Sequence, residues 1–283
     1  MPPEAFTLTR PKARRGCAVF ASPHSGRAYD EAFAGRSRLG ARALRSSEDA
    51  FVDDLFSAAP EAGAPLLTAA MPRAYVDLNR ASDELDPALI EGVRRSGQNP
   101  RVSSGLGVIP RVVSGGRAIY EGRIPLEEAR ARLKTVWHPY HAQLSALMGE
   151  ARDACGRAIL FDCHSMPHAA LEAHSPRPDV VIGDRYGAAA SASLVAAVEA
   201  AFRGAGLRVA RNQPFAGAYI AQAYGRPSRG SHVIQIEIDR ALYMDEARVE
   251  RHDGFEALRQ RLSRVIPALV EIGVTGRDDL AAE

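Results

Sequence analysis

An α/β fold, built on a central, mostly parallel (mixed) sheet with helices on both faces, is what this 283-residue sequence predicts. Three observations carry the expectation. The apolar runs of strand length are continuous rather than alternating, as strands buried on both faces read. Stretches with helical periodicity fill the gaps between them, the signature of strand and helix in alternation. Two of the runs are followed by a histidine, and the carboxyl ends of strands are where open α/β sheets collect ligands and catalytic groups.

The elements follow in order. Runs at 17–21 (CAVFA), 65–70 (PLLTAA), 75–78 (YVDL), 158–163 (AILFDC), 180–182 (VVI) and 233–238 (VIQIEI) have strand length, and most stop at Gly, Pro, Asp or Asn. The stretch 124–152 opens with Pro125 and the acids Glu127 and Glu128. It then carries Leu133, Val136, Trp137, Tyr140, Leu144 and Leu147 at spacings of three and four, which predicts a helix with one apolar face. Residues 188–202 and 255–272 read the same way. Residues 91–116, rich in Gly, Ser and Arg, predict a long loop, and loops of that length in a compact domain are often functional. A single domain over 1–283 is expected, with 1–15 and 274–283 as flexible tails.

Composition narrows the function. Hydrophobic residues make up 46% of the chain, enough for a substantial core and against disorder. Thirty-six basic residues face thirty-four acidic ones, and the arginines are scattered, so nothing favours nucleic acid as a partner, whereas small anionic substrates stay open. No apolar run reaches the roughly 18 to 20 residues of a membrane span, and the amino terminus lacks an apolar signal core, so a cytoplasmic protein without a membrane partner is expected. Cys17, Cys155 and Cys163 lack CxxC spacing and suggest neither disulfides nor a thiolate metal site. Nothing in the sequence fixes an oligomeric state.

The chemistry sits at the ends of the runs. His24 follows the first in a turn made by Pro23 and Gly26, and His164 ends the run FDCH. RSSEDAFVDDLF starts a helix and supplies Glu48 and Asp49, whose ordinary role is to favour a helix amino terminus. Two imidazoles and one carboxylate are also the shell of a catalytic zinc that keeps a place for water. PRAYVDLNR offers Arg73, Asn79 and Arg80, and a guanidinium fork suits a carboxylate; an ion pair of Arg80 with Asp77 or Asp83 is the competing role. Glu237 lies inside an apolar run, where a carboxylate is costly unless paired or functional. Arg240 is its nearest candidate partner, although alternation puts 237 and 240 on opposite faces. No GxSxG elbow supports a serine hydrolase.

SPHSG, SSEDAFVDDLF, YVDLNR, FDCHSMP, NQPFAGAYI and QIEIDRALYMDE together resemble the N-formylglutamate amidohydrolase family, in that family's order from about Cys17 to Asp245. The family is related to zinc carboxypeptidases and to the aspartoacylase and succinylglutamate desuccinylase group. The resemblance implies a zinc carboxypeptidase-like single domain with one zinc ion per chain. His24 and His164 are then similar to the imidazole ligands and Asp49 to the acid, with Glu48 as its rival. Glu237 resembles the general base, and Arg73 the group that polarises the scissile carbonyl. Asn79 and Arg80 are similar to the pair that holds the substrate carboxylate, with Tyr120 and Arg123 as weaker candidates across the loop. Asp162 is placed to hold the second nitrogen of an imidazole ligand. Ala50 and Phe51 stand where near members carry tryptophan and histidine, so the expected substrate is an N-formyl or other N-acyl amino acid, in amino-acid catabolism such as histidine degradation. The alternatives are a zinc peptidase or cell-wall amidase, and a carboxylate-binding protein without activity.

Overall fold

The computed structural model describes residues 4–94 and 99–275 of the chain. Seven strands form the main sheet: β1 (Phe6–Thr9), β2 (Ala18–Ser22), β3 (Leu66–Ala69), β4 (Ala158–Met166), β5 (Val180–Gly183), β6 (Val209–Arg211) and β7 (Ser231–Asp239), in the order β1-β3-β2-β4-β7-β5-β6. Neighbours from β3 through β2 and β4 to β7 run parallel, as do β5 and β6. The outer strand β1 is antiparallel to β3, and β5 is antiparallel to β7. The mixed, mostly parallel sheet read from the sequence is therefore present.

β4 and β7 form the spine. Both are nine residues long and buried throughout, and they pair along their whole length, which sets His164 beside Glu237 and Asp162 beside Gln235. Because side chains alternate across a strand, Asp162 and His164 share one face and Phe161 and Cys163 the other. Phe161 packs on Phe20, which meets Phe56. A long helix, α1, runs from Leu126 to Cys155 through Leu126–Arg132, a π-helical stretch at Leu133–Trp137 and His138–Cys155. It covers β2 and β4, while α2 (Ala192–Gly204) packs on β5 and on α3 (Gly254–Thr275). Among the described residues no helix is long and apolar enough to cross a membrane.

Three expectations need correction. Residues 6–9, expected within a flexible tail, are an edge strand paired with Leu66–Ala69, and Arg10 beside it pairs with Glu150 at 2.8 Å. Four residues of alternating burial are too short a signal to separate from a polar terminus. Of the other expected tail, α3 continues to Thr275, and 276–283, like 1–3, lie outside the described residues. Residues 75–78 are not a strand. Pro72 starts a turn whose carbonyl accepts from Tyr75 and Val76, and the Asp77 carboxylate then accepts from the Asn79 amide at 2.9 Å, so side chains replace a ladder. The long loop contains a helical turn at Pro100–Ser103, capped by Asn99, and a small ribbon of Val112–Val113 with Arg117–Ala118; its residues 95–98 lie outside the described ones.

Candidate metal centre and active site

His24, Asp49 and His164 converge at the carboxyl ends of β2 and β4, with one donor atom from each within 4.8 Å of the others, all buried. Each arrives by a different local device. His24 sits in the turn after β2, where a Cβ at Gly26 would overlap the Met71 carbonyl, so only glycine lets the two segments touch. His164 is carried by β4. Asp49 precedes Phe51, whose left-handed backbone (φ 66°) turns the chain sharply into the short helix Val52–Leu55. Phe51 is held there by Phe255 and by the Arg251 guanidinium, 4.6 Å from its ring centroid.

The three donors are oriented from behind. Asp49 Oδ2 lies 2.9 Å from His164 Nδ1 and 3.4 Å from His24 Nδ1. On the far side of each ring stands another carboxylate: Asp77 Oδ1 is 2.7 Å from His24 Nε2, and Asp162 Oδ1 is 3.0 Å from His164 Nε2. The second contact is close but poorly aligned, since Asp162 Oδ1 has no well-angled donor among the described residues. Carboxylates behind imidazoles fix the tautomer that leaves Nδ1 to ligate. Arg240 Nη2 donates to Asp49 Oδ1 at 2.9 Å, so the other carboxylate oxygen points into the cluster.

The donor set fits a cation. His24 Nδ1 is buried with no hydrogen-bond partner among the described residues, a costly state that a metal ion would satisfy. Burial would lower the His164 imidazole, but Asp162 and Asp49 outweigh it and raise its pKa well above the ordinary value, the mark of an electronegative pocket. Burial would raise Asp77, yet Arg73 and His24 hold it well below the usual carboxylate range. Two imidazole nitrogens and one carboxylate oxygen suit zinc with a position left open.

The cluster opens into a cavity of about 700 Å³ that Arg73, Asn79, Arg80, Arg101, Glu237 and Arg240 also line, together with the apolar Pro214, Phe215 and Ala216. Glu237 is buried, and its Oε1 accepts from Gln235 Nε2 at 2.9 Å. Burial, partly offset by His164, pushes its pKa up to about 7, where a carboxylate exchanges protons readily. Arg73 Nε donates to Asp77 at 3.0 Å. Arg80 gives Nε to the Leu106 carbonyl at 3.0 Å and Nη1 to that of Asn79 at 2.8 Å, which fixes its direction. Helix α1 supports this segment: Trp137 Nε1, at the end of the π-helical stretch, donates to the Arg80 carbonyl, and His141 Nε2, one turn on, to that of Leu78, each at 2.9 Å.

Some expected residues lie elsewhere. Glu48 turns from the cluster to Arg45 at 3.0 Å and the Tyr29 hydroxyl at 2.6 Å, so of the adjacent acids it is Asp49 that joins the imidazoles. Tyr120 accepts from Arg132 Nη1 at 2.7 Å, and Arg123 Nη2 donates to the carbonyls of Pro87 and Ile90; neither side chain lines the cavity. Asn79 lines it but is engaged, with Nδ2 3.2 Å from His164 Nε2 and Oδ1 accepting from Ile220 N at 2.8 Å. Arg240 pairs with Asp49 and not with Glu237. The sequence reading missed the supporting parts: Asp77 as the carboxylate behind His24, Gln235 on Glu237, and Arg101 in the cavity wall. For Asp77 the signal was present, as a second acid in YVDLNR.

A mostly parallel α/β sheet with two histidines and an aspartate gathered at its carboxyl edge, and a buried glutamate beside them, defines a class of metal-compatible hydrolase-like folds. The comparisons with known proteins are specific within it. Residues 17–244 match the N-formylglutamate amidohydrolase family, and the chain belongs to that family, one of hydrolases acting on an amide bond. It is 31% identical over 267 residues to an N-formylglutamate deformylase of Pseudomonas aeruginosa, covering 90% of this chain and 93% of that one. To the enzyme of the same name from Pseudomonas putida it is 27% identical over 266 residues, covering 90% and 92%. The crystal structure of an N-formylglutamate amidohydrolase from Ralstonia eutropha superposes with a TM-score of 0.90 at 35% identity, covering 98% of this chain and all of that one. A gene product from Agrobacterium tumefaciens shares the fold alone, at a TM-score of 0.65 and 19% identity.

Proposed function

We propose that this chain is a zinc-dependent amidohydrolase that cleaves an N-formyl or other N-acyl amino acid, with N-formylglutamate as the first candidate, releasing formate or the corresponding acid and the free amino acid. The observation that carries the reading is the unpartnered Nδ1 of buried His24, turned toward Asp49 and His164 in the cavity that also holds Glu237. The relatives named as deformylases support the bond and the substrate. Three free cysteines suit a reducing cytoplasm.

His24, Asp49 and His164 would hold the zinc. When bound it supplies Lewis acidity, making a water acidic enough to lose a proton near neutral pH and polarising the amide carbonyl. Glu237 would take a proton from the attacking water on its carboxylate and return it to the departing amide nitrogen, a task for which a pKa near 7 is well matched. Gln235 holds Oε1 and leaves the second oxygen for the transfer. Arg73, braced by Asp77, donates to the oxyanion that forms at the acyl carbon. Arg80 meets the α-carboxylate, and Asn79 keeps the His164 ring and the Ile220 amide in place. The C–N bond breaks, the acid leaves as its carboxylate, and its remaining proton goes to the freed amine, which leaves as the ammonium group of the amino acid.

Metal analysis and formate release on N-formylglutamate test the reading together. Purified protein is expected to carry close to one zinc per chain and to lose turnover on chelation, with recovery on adding zinc. His164→Ala should lose the metal and the activity. Full metal content in that variant, or formate release unaffected by thorough chelation, would overturn the assignment.

A further inference from the structure

The charges in the cavity wall do not balance, and the imbalance is local. Four arginines line it, and two are committed to buried acids: Arg73 to Asp77 at 3.0 Å and Arg240 to Asp49 at 2.9 Å. The third acid, Glu237, rests on a neutral amide. Among the described residues Arg80 and Arg101 form no ion pair, and Arg101 makes no side-chain hydrogen bond. Arg80 feels burial first, then Asp77 in the opposite sense, and then the positive charges of Arg73 and Arg101, so the two unpaired guanidinium groups are close enough to repel. Glu84 also acts on Arg80 and offsets part of this repulsion, but it does not line the cavity, so toward the cavity the two charges stand without an acid and an anionic ligand would relieve them.

The loop that carries Arg101 is built to keep it there. Asn99 Oδ1 accepts from the Arg101 and Val102 amides at 3.0 and 3.4 Å, and Asn99 Nδ2 donates to Glu84 at 3.1 Å. Glu84 in turn accepts from the Ala81 amide at 2.9 Å, directly after Arg80, so both arginines hang on one hydrogen-bonded frame. Pro214, Phe215 and Ala216 add apolar side chains to the lining, and its polar residues Tyr186 and Asn212 carry no positive charge. One carboxylate needs one of the two arginines.

We propose that Arg101 is the specificity-determining residue for a second carboxylate, so that N-acyl derivatives of dicarboxylic amino acids bind with the α-carboxylate on Arg80 and the side-chain carboxylate on Arg101. The proposal rests on the amidohydrolase reading above, but it concerns binding and is separable from turnover. A neutral isostere keeps the shape of the substrate and lacks only the charge that Arg101 reads. An exposed arginine contributes less than a buried one, so the preference at stake is about tenfold rather than the larger factor of a desolvated pair.

The test compares N-formyl-L-glutamate with N-formyl-L-glutamine in the zinc-loaded protein and its Arg101→Gln and Arg101→Lys variants, reading Kd by calorimetry and KM and kcat by amide cleavage. The parent should prefer the glutamate compound, and Arg101→Gln should weaken it by about tenfold while changing the glutamine compound less than about twofold. kcat should hold, and Arg101→Lys should regain part of the preference. Equal losses on both compounds, an undiminished preference in Arg101→Gln, or a parent that binds neither or prefers neither would overturn the proposal. A parent that binds with Arg101-dependent preference yet releases no formate would instead remove the amidohydrolase reading and leave this one standing.

Discussion

Arg132 and the rings around it bury a charge as thoroughly as the His24, Asp49 and His164 cluster does, and each region leaves one buried nitrogen without a hydrogen bond among the described residues, but only one of them opens on a cavity. The Arg132 guanidinium lies 4.3 Å from the Tyr75 ring centroid and 5.5 Å from those of Phe33 and Tyr120. Nη1 donates to the Tyr120 hydroxyl and the Tyr75 carbonyl and Nη2 to Glu128, while Nε is buried without a partner among the described residues, and the cluster is closed to the cavity. At the sheet edge every imidazole is also held from behind, and the nitrogen without a hydrogen bond, His24 Nδ1, faces Asp49 at 3.4 Å where the cavity begins. Burial of charge is thus common to structure and chemistry. An oriented donor left unfilled beside an open cavity is what separates them.

The largest effect expected on that contrast comes from Glu237→Gln. Gln has nearly the same shape and can still bond Gln235, but it cannot take a proton from water. kcat should fall at least about 100-fold, the low end of what a positioned base contributes, with zinc content and melting temperature kept. The alternative role, a buried ion-pair partner, is contradicted by Arg240 choosing Asp49, and it predicts a sharp loss of stability instead. A stable, zinc-replete variant with parental turnover would put Glu237 with the structural charges and leave the contrast without its catalytic half.

Arg132→Met probes the other region, with a smaller and opposite signature. Methionine keeps the long apolar stem among the rings but loses the cation–π contacts and leaves the buried Tyr120 hydroxyl without its donor. Stability should drop by about 1 to 3 kcal/mol, the range for an orphaned buried hydroxyl, and denaturant titration reads it. kcat and KM on N-formylglutamate should stay within about twofold, because no group of the cluster lines the cavity. A large fall in kcat with unchanged stability would show that the closed cluster reaches the chemistry.

Much of this division was legible in the sequence and some was not, for reasons of range. The spine strands were readable because nine buried residues in a row leave a strong pattern, and strand-end histidines follow from where such strands stop. Asp49 could be told from Glu48 only by the turn at Phe51, since adjacent residues differ in direction and not in kind. Tyr120 drew attention as a polar aromatic near the long loop, and its partner Arg132 lies twelve residues on in α1, where it reads as an ordinary exposed helix arginine. The bonds from Arg240 to Asp49 and from Asp77 to His24 join segments 191 and 53 residues apart, a pairing no local pattern encodes.

An effect that appears only as pH falls concerns His141, and it tests whether the frame under Leu78 and Arg80 needs a neutral imidazole. Its Nε2 donates to the Leu78 carbonyl and its Nδ1 lies 2.9 Å from the Tyr224 hydroxyl, with Trp137 packed on the ring. Burial, opposed by the Leu78 bond, lowers its pKa to about 4 from the ordinary 6.5. Below pH 6.5 the unfolded chain therefore binds a proton that the folded chain refuses. The stabilisation from keeping the ring neutral is present above that pH and is lost as pH falls toward 4, by up to about 3 kcal/mol at 1.36 kcal/mol per unit. His141→Gln removes the titration while keeping a side chain able to donate, so its denaturation midpoint should fall less steeply between pH 6.5 and 4 than that of the parent. Parallel slopes for the two proteins would mean that the ring charges in place without strain, and that the support beneath Arg80 does not depend on its neutrality.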